Sequence, residues 1–127
     1  MAGTFVSDTI QDGAGNSTST TNCIQGSAKA WLRTTFNGTV QTINASYNIS
    51  SITRTAAGNY TIALTNALAD ANYSVISTAA YSTSYTGLYT SQDNRLGTQT
   101  SSTFYLGTYS TASAYTDTAN LNVSVFR

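Results

Sequence analysis

Side chains able to carry covalent chemistry are scarce in this chain. It has 127 residues with five acidic groups, all of them Asp, and no His. A serine nucleophile needs a base, usually His, and the single lysine, Lys29, stands in a predicted strand without a paired serine motif. A glycosidase needs two carboxylates facing each other across the sugar, whereas each Asp here lies in or near a predicted turn. The inventory therefore predicts that the protein is not an enzyme.

Ligands for a metal ion or a cofactor are equally few. Transition-metal sites use clusters of His or Cys, and the chain offers one cysteine, Cys23. Calcium could be held by Asp and backbone carbonyl oxygens, but no Asp-x-Asp spacing occurs. Glycine loops that cradle phosphate are missing too. We expect no metal and no cofactor, and we interpret Cys23 as a small buried or idle residue rather than a redox centre.

The charges favour neither a nucleic acid nor a membrane as partner. Five acidic and five basic residues cancel, whereas a phosphate-binding surface or a membrane anchor needs clustered Lys and Arg. No apolar stretch approaches the length of a membrane span, and the N-terminus lacks the pattern of a signal peptide. Asn-x-Ser/Thr sequences recur inside predicted strands, where glycans would obstruct the sheets. We therefore expect synthesis in a cytosol that does not glycosylate, as in a bacterium.

Alternating polar and apolar residues predict an all-β fold. Tyr, Thr, Val and Ile favour strands, and Asn37-Gly38 is a strong hairpin signal. A second turn is predicted at Gly58-Asn59, and a third is capped by Asp70. Strands at roughly ten-residue spacing indicate a single antiparallel β-sandwich, or a flattened barrel, over residues 27–127. The predicted strands cover residues 28–36, 40–49, 50–55, 59–65, 73–81, about 84–90, about 100–109 and 119–126.

Period-two alternation also predicts which side chains share a buried face. The strand 28–36 is less clear, since neither face is cleanly apolar. Trp31 is therefore interpreted as a packing anchor under a second surface, with stacking on a sugar as the alternative. The dry faces predicted for two other strands consist of Tyr60, Ile62 and Leu64, and of Leu121, Val123 and Val125.

Residues 1–26 differ from the rest of the chain. A short strand-like piece from Thr4 to Ile10 leads into Gly, Ser, Thr and Asn without apolar spacing. Alone, such a stretch buries too little surface to offset its ordering entropy. It is either a flexible tail or an arm that becomes ordered on a neighbouring subunit, through which the module would attach to other proteins of an assembly.

Tyrosines concentrate in the second half, from Tyr81 to Tyr115, among Ser, Thr and Gly. Tyr has a flat apolar face and a polar tip, so it can contact polar partners at low entropy cost. The rings either line the sandwich or a subunit interface, or they contact a receptor or glycan from loops around 82–97 and 107–117. The receptor candidates are Tyr85, Tyr89, Asp93, Arg95, Tyr115 and Asp117. Candidates for oligomer or core packing are Trp31, Phe36, Tyr47, Tyr60 and Tyr73.

Residues 28–75 resemble a segment of short tail-fibre and virion proteins of tailed bacteriophages. The shared elements are Ala30-Trp31, Phe36-Asn37-Gly38, Ser46 to Ser51, Gly58 to Thr61 and Ala69 to Tyr73. The opening, SDTIQDGAGNSTSTTNCIQGSAKAW, also looks like the lead-in of that family. The resemblance covers about 60% of the chain and implies a virion location, antiparallel β structure and homotrimers. It supplies no catalytic residues, and residues 80–127 fall outside it.

Two functions are compatible with these features. The leading hypothesis is a virion structural protein that acts as a tail-fibre or tail-tip adhesin and binds a bacterial surface glycan. The alternative is a structural virion subunit without a receptor, such as a head-decoration or fibre-joining protein. An enzyme acting on envelope sugars is a distant third. In each virion role we expect a homo-oligomer, most simply a homotrimer, assembled in the host cytoplasm.

Overall fold

The fold comes from a computed structural model that describes residues 3, 7–11, 13–80 and 89–127. Ten strands and one short helix make up this part of the chain. The strands are β1 (Thr9–Gln11), β2 (Ser17–Ser19), β3 (Ala28–Phe36), β4 (Gln41–Tyr47), β5 (Ile49–Ala56), β6 (Asn59–Leu64), β7 (Ser74–Ala80), β8 (Tyr89–Gln92), β9 (Thr103–Tyr109) and β10 (Asn120–Phe126). The helix, α1, spans Thr20–Gly26, and it is far too short to cross a membrane.

Two four-stranded antiparallel sheets pack against each other. The first has the order β4-β3-β10-β7 and the second β5-β6-β9-β8. Neither sheet closes on itself or on the other, so the prediction of an antiparallel β-sandwich is confirmed and the flattened barrel is not formed. The last strand, β10, lies between β3 and β7 at the centre of its sheet.

The core lies between the sheets and follows the predicted alternation. Tyr60, Ile62 and Leu64 of β6 are buried, as are Leu121, Val123 and Val125 of β10. Among the described residues, Phe104 and Leu106 of β9 and Ile49 of β5 are the other buried apolar residues of the second sheet. Full burial of such a side chain contributes about 1.5–3 kcal/mol, so the alternate residues of β6, β9 and β10 hold the sandwich together.

The turns predicted at Asn37-Gly38 and at Asp70 are present in the structure. The Asn37 side-chain oxygen accepts hydrogen bonds from the backbone N–H groups of Thr39 and Val40, each at 3.0 Å. Gly38 takes a φ of 96°, which a residue with a Cβ adopts at a cost. The Asp70 carboxylate accepts a 2.7 Å hydrogen bond from the N–H of Asn72, as predicted for a capped turn.

Two predicted strands differ from the structure by three residues or more at one end. The strand expected over about 84–90 is seen from Tyr89 to Gln92, and its predicted beginning lies outside the described residues. The strand expected over about 100–109 begins at Thr103, because Thr100 and Ser102 first form a side-chain-bonded turn.

The N-terminal segment carries regular structure that its composition does not predict. β1 and β2 form an antiparallel hairpin, and α1 follows directly. Ile10 and Ile24 are exposed, and neither belongs to the core of the sandwich. The hairpin is therefore held by its backbone hydrogen bonds rather than by apolar burial.

Candidate functional site

The candidate site is built around Asp93, which follows the edge strand β8. Only 4% of this residue is exposed. Its Oδ1 accepts the backbone N–H of Arg95 at 3.0 Å, and its carbonyl accepts the N–H of Leu96 at 3.1 Å. These bonds make the turn after β8 rigid, and they fix the carboxylate against the end of β9.

The Arg95 side chain donates hydrogen bonds to the same carboxylate. Its Nε lies 2.9 Å from Oδ1 of Asp93 and its Nη2 lies 2.9 Å from Oδ2, a bidentate pair. The guanidinium carbon also lies 5.7 Å and 5.6 Å from the ring centroids of Tyr109 and Tyr115. The Arg95 side chain is nevertheless 71% exposed. One edge of the guanidinium is thus held in place while the rest of the side chain faces solvent.

Two tyrosines complete the cluster. Tyr109 ends β9, and Tyr115 pairs with it across the following loop. Their rings lie 4.7 Å apart at 34°. The Tyr115 hydroxyl donates to Oδ2 of Asp93 at 2.6 Å, and the Tyr109 hydroxyl donates to the same oxygen. Arg95 Nη2 in turn donates to the Tyr109 hydroxyl oxygen at 2.5 Å. We call Asp93, Arg95, Tyr109 and Tyr115 the Asp93 cluster.

A glycine makes room for one of these rings. The Tyr109 ring folds back over Gly107, where an added Cβ would lie 2.5 Å from the Tyr109 hydroxyl. In the same way Tyr105 covers Gly97. On the outward face of β9, the rings of Tyr105 and Tyr109 therefore pack against the backbone of Gly97 and Gly107.

The electrostatics of the cluster favour binding over proton transfer. Hydrogen bonds from Arg95, together with those from the Tyr109 and Tyr115 hydroxyls, outweigh burial and hold the pKa of Asp93 well below its usual range. The hydrogen bond to Asp93 raises the pKa of Tyr115 above its usual value. Both groups keep one protonation state near neutral pH, so neither is suited to general acid or base catalysis.

A surface depression of about 380 Å³ opens beside the cluster. Arg95 supplies a cation and hydrogen-bond donors, Tyr109 a ring, and the serines hydroxyls. Tyr89 stands at its rim with 64% of its surface exposed. Such a mixture fits a polar ligand that has hydroxyl groups and flat C–H faces. The lining residues are Tyr89, Ser91, Arg95, Tyr109, Ser110 and Ser113.

Asp117 does not join this cluster, although the sequence grouped it with the receptor candidates. Its carboxylate binds Nε and Nη2 of Arg54 at 2.7 and 2.8 Å. It also accepts the N–H of Gly58 at 3.0 Å and the hydroxyl of Tyr60 at 3.2 Å. The Arg54 hydrogen bonds lower the pKa of Asp117. The carboxylate ties the loop after β9 to the turn between β5 and β6.

A buried polar network supports Asp117 from inside the sandwich. The Gln41 amide donates to the Thr118 carbonyl at 2.8 Å, and Thr34 donates its hydroxyl to the Gln41 side-chain oxygen at 2.8 Å. The Tyr60 hydroxyl, which binds Asp117, also accepts the Thr118 N–H at 3.4 Å. Because buried polar groups are costly when unpaired, this network fixes the position of the segment 117–118.

A second depression, of about 540 Å³, lies beside Asp117. The Phe36 ring lies 5.8 Å from the guanidinium carbon of Arg54, and it faces this depression rather than the core. Tyr115 contributes to the wall, so it belongs both to the Asp93 cluster and to this surface. The lining residues are Phe36, Gly38, Ala57, Tyr115, Thr116, Asp117 and Ala119.

The other packing candidates divide between the core and the surface. Tyr60 and Tyr73 are buried, and burial raises the pKa of Tyr73 to about 12. Trp31 and Tyr47 are 40% and 59% exposed. They pair across β3 and β4 on the outer face of the first sheet, in a row that continues through Ser124 to the exposed Ile76.

Only some of the predicted receptor contacts lie together in the structure. Asp93, Arg95 and Tyr115 do meet, with Tyr89 at the rim of the adjoining depression. Tyr85 lies outside the described residues. The predicted receptor contacts do not include Tyr109. The sequence signal that indicates it is the short Ser-containing turn between Tyr109 and Tyr115. That turn is closed by the Ser110 N–H, which donates to the Ala114 carbonyl at 2.9 Å.

No group of three potential metal ligands occurs within the part of the chain that the structure describes. Comparison of the chain with protein-family models, curated proteins and solved structures finds no match to any of them. The candidate site therefore rests on its own geometry.

Proposed function

We propose that the protein is a bacteriophage virion component, a tail-fibre or tail-tip adhesin that binds a host-surface glycan without chemically altering it. The observation that carries the binding role is the Asp93 cluster with its open depression. There the Arg95 guanidinium and the Tyr109 ring are fixed by hydrogen bonds within the protein before any ligand arrives. The phage assignment comes from the resemblance of residues 28–75 to tail-fibre segments.

The physical argument is preorganisation. A sugar offers hydroxyl groups to hydrogen-bonding side chains and C–H faces to aromatic rings. Because Asp93 already immobilises Arg95, Tyr109 and Tyr115, binding costs less side-chain entropy than it would at flexible side chains. Tyr89 and the serines at the rim then supply the adaptable contacts.

Homotrimer formation is part of this proposal, because a single shallow site binds weakly and several linked sites raise the avidity. The exposed row of Tyr47, Trp31 and Ile76 is the apolar surface that supports self-association. Light scattering at micromolar concentration should give about three times the 13.4 kDa mass of the chain. A species of 13.4 kDa alone would rule the homotrimer out.

The N-terminal segment is proposed as the attachment to other virion proteins. Its hairpin and helix contribute nothing to the hydrophobic core of the sandwich within the described residues. It is thus available for contact with a neighbouring protein at little cost to the folded domain.

The second candidate is a structural virion subunit without a receptor, such as a decoration or joining protein. The same exposed row on the first sheet favours it, since these apolar side chains serve a subunit contact as well in a head as in a tail. On that alternative the Asp93 cluster only braces the loop after β9.

Immunogold electron microscopy of virions of the encoding phage separates the two candidates. Label at the tail tip or fibre is the expected result. Label over the capsid would overturn the adhesin and favour a decoration protein, and particles that carry no label would overturn the virion assignment itself.

A further inference from the structure

We infer that the two depressions are adjoining subsites of one extended site, so that the ligand is an oligosaccharide of at least two units rather than a single terminal sugar. The inference rests on the proposed function, because it names the form of glycan that the same surface would bind. Tyr109 lines the first depression and Tyr115 the second. The centroids of these two rings lie 4.7 Å apart, so the linings of the two depressions adjoin at this pair.

The dividing pair is rigid. Both hydroxyls are held by Asp93, and the Arg95 guanidinium lies within 6 Å of both ring centroids. The backbone next to the two tyrosines is also fixed, since the N–H of Thr116 donates to the Thr108 carbonyl at 2.9 Å. A ligand crossing the pair thus meets a fixed ridge of two rings, which suits a chain that passes over it from one depression to the other.

The two depressions offer complementary chemistry. The first presents the Arg95 guanidinium and serine hydroxyls, which donate hydrogen bonds to acceptor groups. The second presents the Asp117 carboxylate, which accepts them, between the rings of Phe36 and Tyr115. Because Asp117 is already paired with Arg54, the second subsite presents no unpaired charge to an acidic or a basic sugar unit. The ligand should therefore carry a neutral, hydroxyl-rich unit in the second subsite.

Ala57 provides a way to obstruct the second subsite without removing a contact. It is exposed in the turn between β5 and β6 and lines the second depression. Ala56, its exposed neighbour, is not part of that lining. Ala57→Gln is thus the test variant, and Ala56→Gln is the matched control.

The probes are monosaccharides and size-fractionated fragments from partial acid hydrolysis of the bacterial surface polysaccharide that the protein binds. Calorimetric titration with soluble fragments measures the affinity of each subunit, so oligomer avidity does not contribute. We expect at least a tenfold rise in affinity from monosaccharide to longer fragments. Ala57→Gln should abolish that rise and leave monosaccharide affinity unchanged, and Ala56→Gln should alter neither.

The inference is overturned if monosaccharides bind as tightly as longer fragments, or if Ala57→Gln binds the longer fragments normally. Failure of the proposed function looks different, since then neither the intact polysaccharides nor any fragment would bind the unaltered protein.

Discussion

The Tyr115 hydroxyl donates a 2.6 Å hydrogen bond to Oδ2 of Asp93, which joins the loop after β9 to the turn after β8. These residues are 22 positions apart in the chain. Asp93 is buried, whereas its partner Arg95 is largely exposed. One buried carboxylate therefore organises a surface that is open to solvent, which is the arrangement expected of a binding site rather than of a core ion pair.

The first prediction concerns the contribution of that carboxylate to stability. Asp93→Asn leaves the hydroxyls of Tyr109 and Tyr115 without a charged acceptor and should lower the free energy of unfolding by about 2 kcal/mol. Urea denaturation measures this. Asp70→Asn is the control, because Asp70 binds Arg127 in an exposed pair, and such pairs contribute little. Equal losses in both variants would show that burial does not strengthen the Asp93 cluster.

The second prediction concerns acid. The pKa values of the buried Asp93 and the partly buried Asp117 are lowered chiefly by hydrogen bonds from Arg95 and Arg54. The unfolded chain then takes up protons first, near the ordinary Asp pKa of about 4. Stability should be fully present above about pH 5 and fall as the pH drops from there towards 2.

Thermal unfolding between pH 7 and pH 2 checks the second prediction. The melting temperature of Asp93→Asn should fall less steeply than that of the unaltered protein, so the two curves converge in acid. Parallel curves would mean that the pKa of Asp93 is the same in the folded and the unfolded protein.

The third prediction concerns Gly58, in the turn between β5 and β6. Its φ is 67°, and an added Cβ would lie 2.5 Å from the Thr108 carbonyl oxygen and from the Thr116 nitrogen. Gly58→Ala should cost well over about 1 kcal/mol of stability. Gly38 also has a positive φ, of 96°, but an added Cβ there would meet no atom within 4 Å. Gly38→Ala should therefore lower the free energy of unfolding by only about 1 kcal/mol. Similar losses in the two variants would show that the close approach of the Thr108 and Thr116 backbone is not the reason for glycine at position 58.

The fourth prediction concerns the N-terminal segment. Deletion of residues 1–22 should leave the melting temperature of the remaining domain nearly unchanged, since the hydrophobic core of the sandwich begins at Ala30. The same deletion should abolish incorporation into virions. A large drop in melting temperature would show that the segment is part of the folded domain rather than an attachment arm.

Much of the sandwich could be predicted because alternation is a local signal. The buried faces of β6 and β10 follow directly from Tyr60, Ile62, Leu64 and from the Leu and Val residues of the last strand. The turns at Gly38 and Asp70 depend on neighbouring residues alone. These elements need no knowledge of the partner strand.

The site depends on long-range register and was predictable only in part. Asp93 and Arg95 are two residues apart, so their pairing is a local turn. The meeting of Tyr109 with Asp93 requires β8 to pair with β9 so that Tyr89 stands opposite Tyr109. The pairing of Asp117 with Arg54, 63 residues away, requires two separate loops to meet. Alternation within one strand specifies neither.

The adhesin proposal is tested most directly by Tyr89, which stands at the rim of the first depression and is 64% exposed. Tyr47 is the matched control, since it is 59% exposed on the other sheet. Titration of each variant with oligosaccharides of the host surface polysaccharide measures the affinity of each subunit. The account predicts that Tyr89→Ala loses at least tenfold in affinity while Tyr47→Ala binds as the unaltered protein does. Unchanged binding by Tyr89→Ala, or an equal loss in both variants, would contradict it.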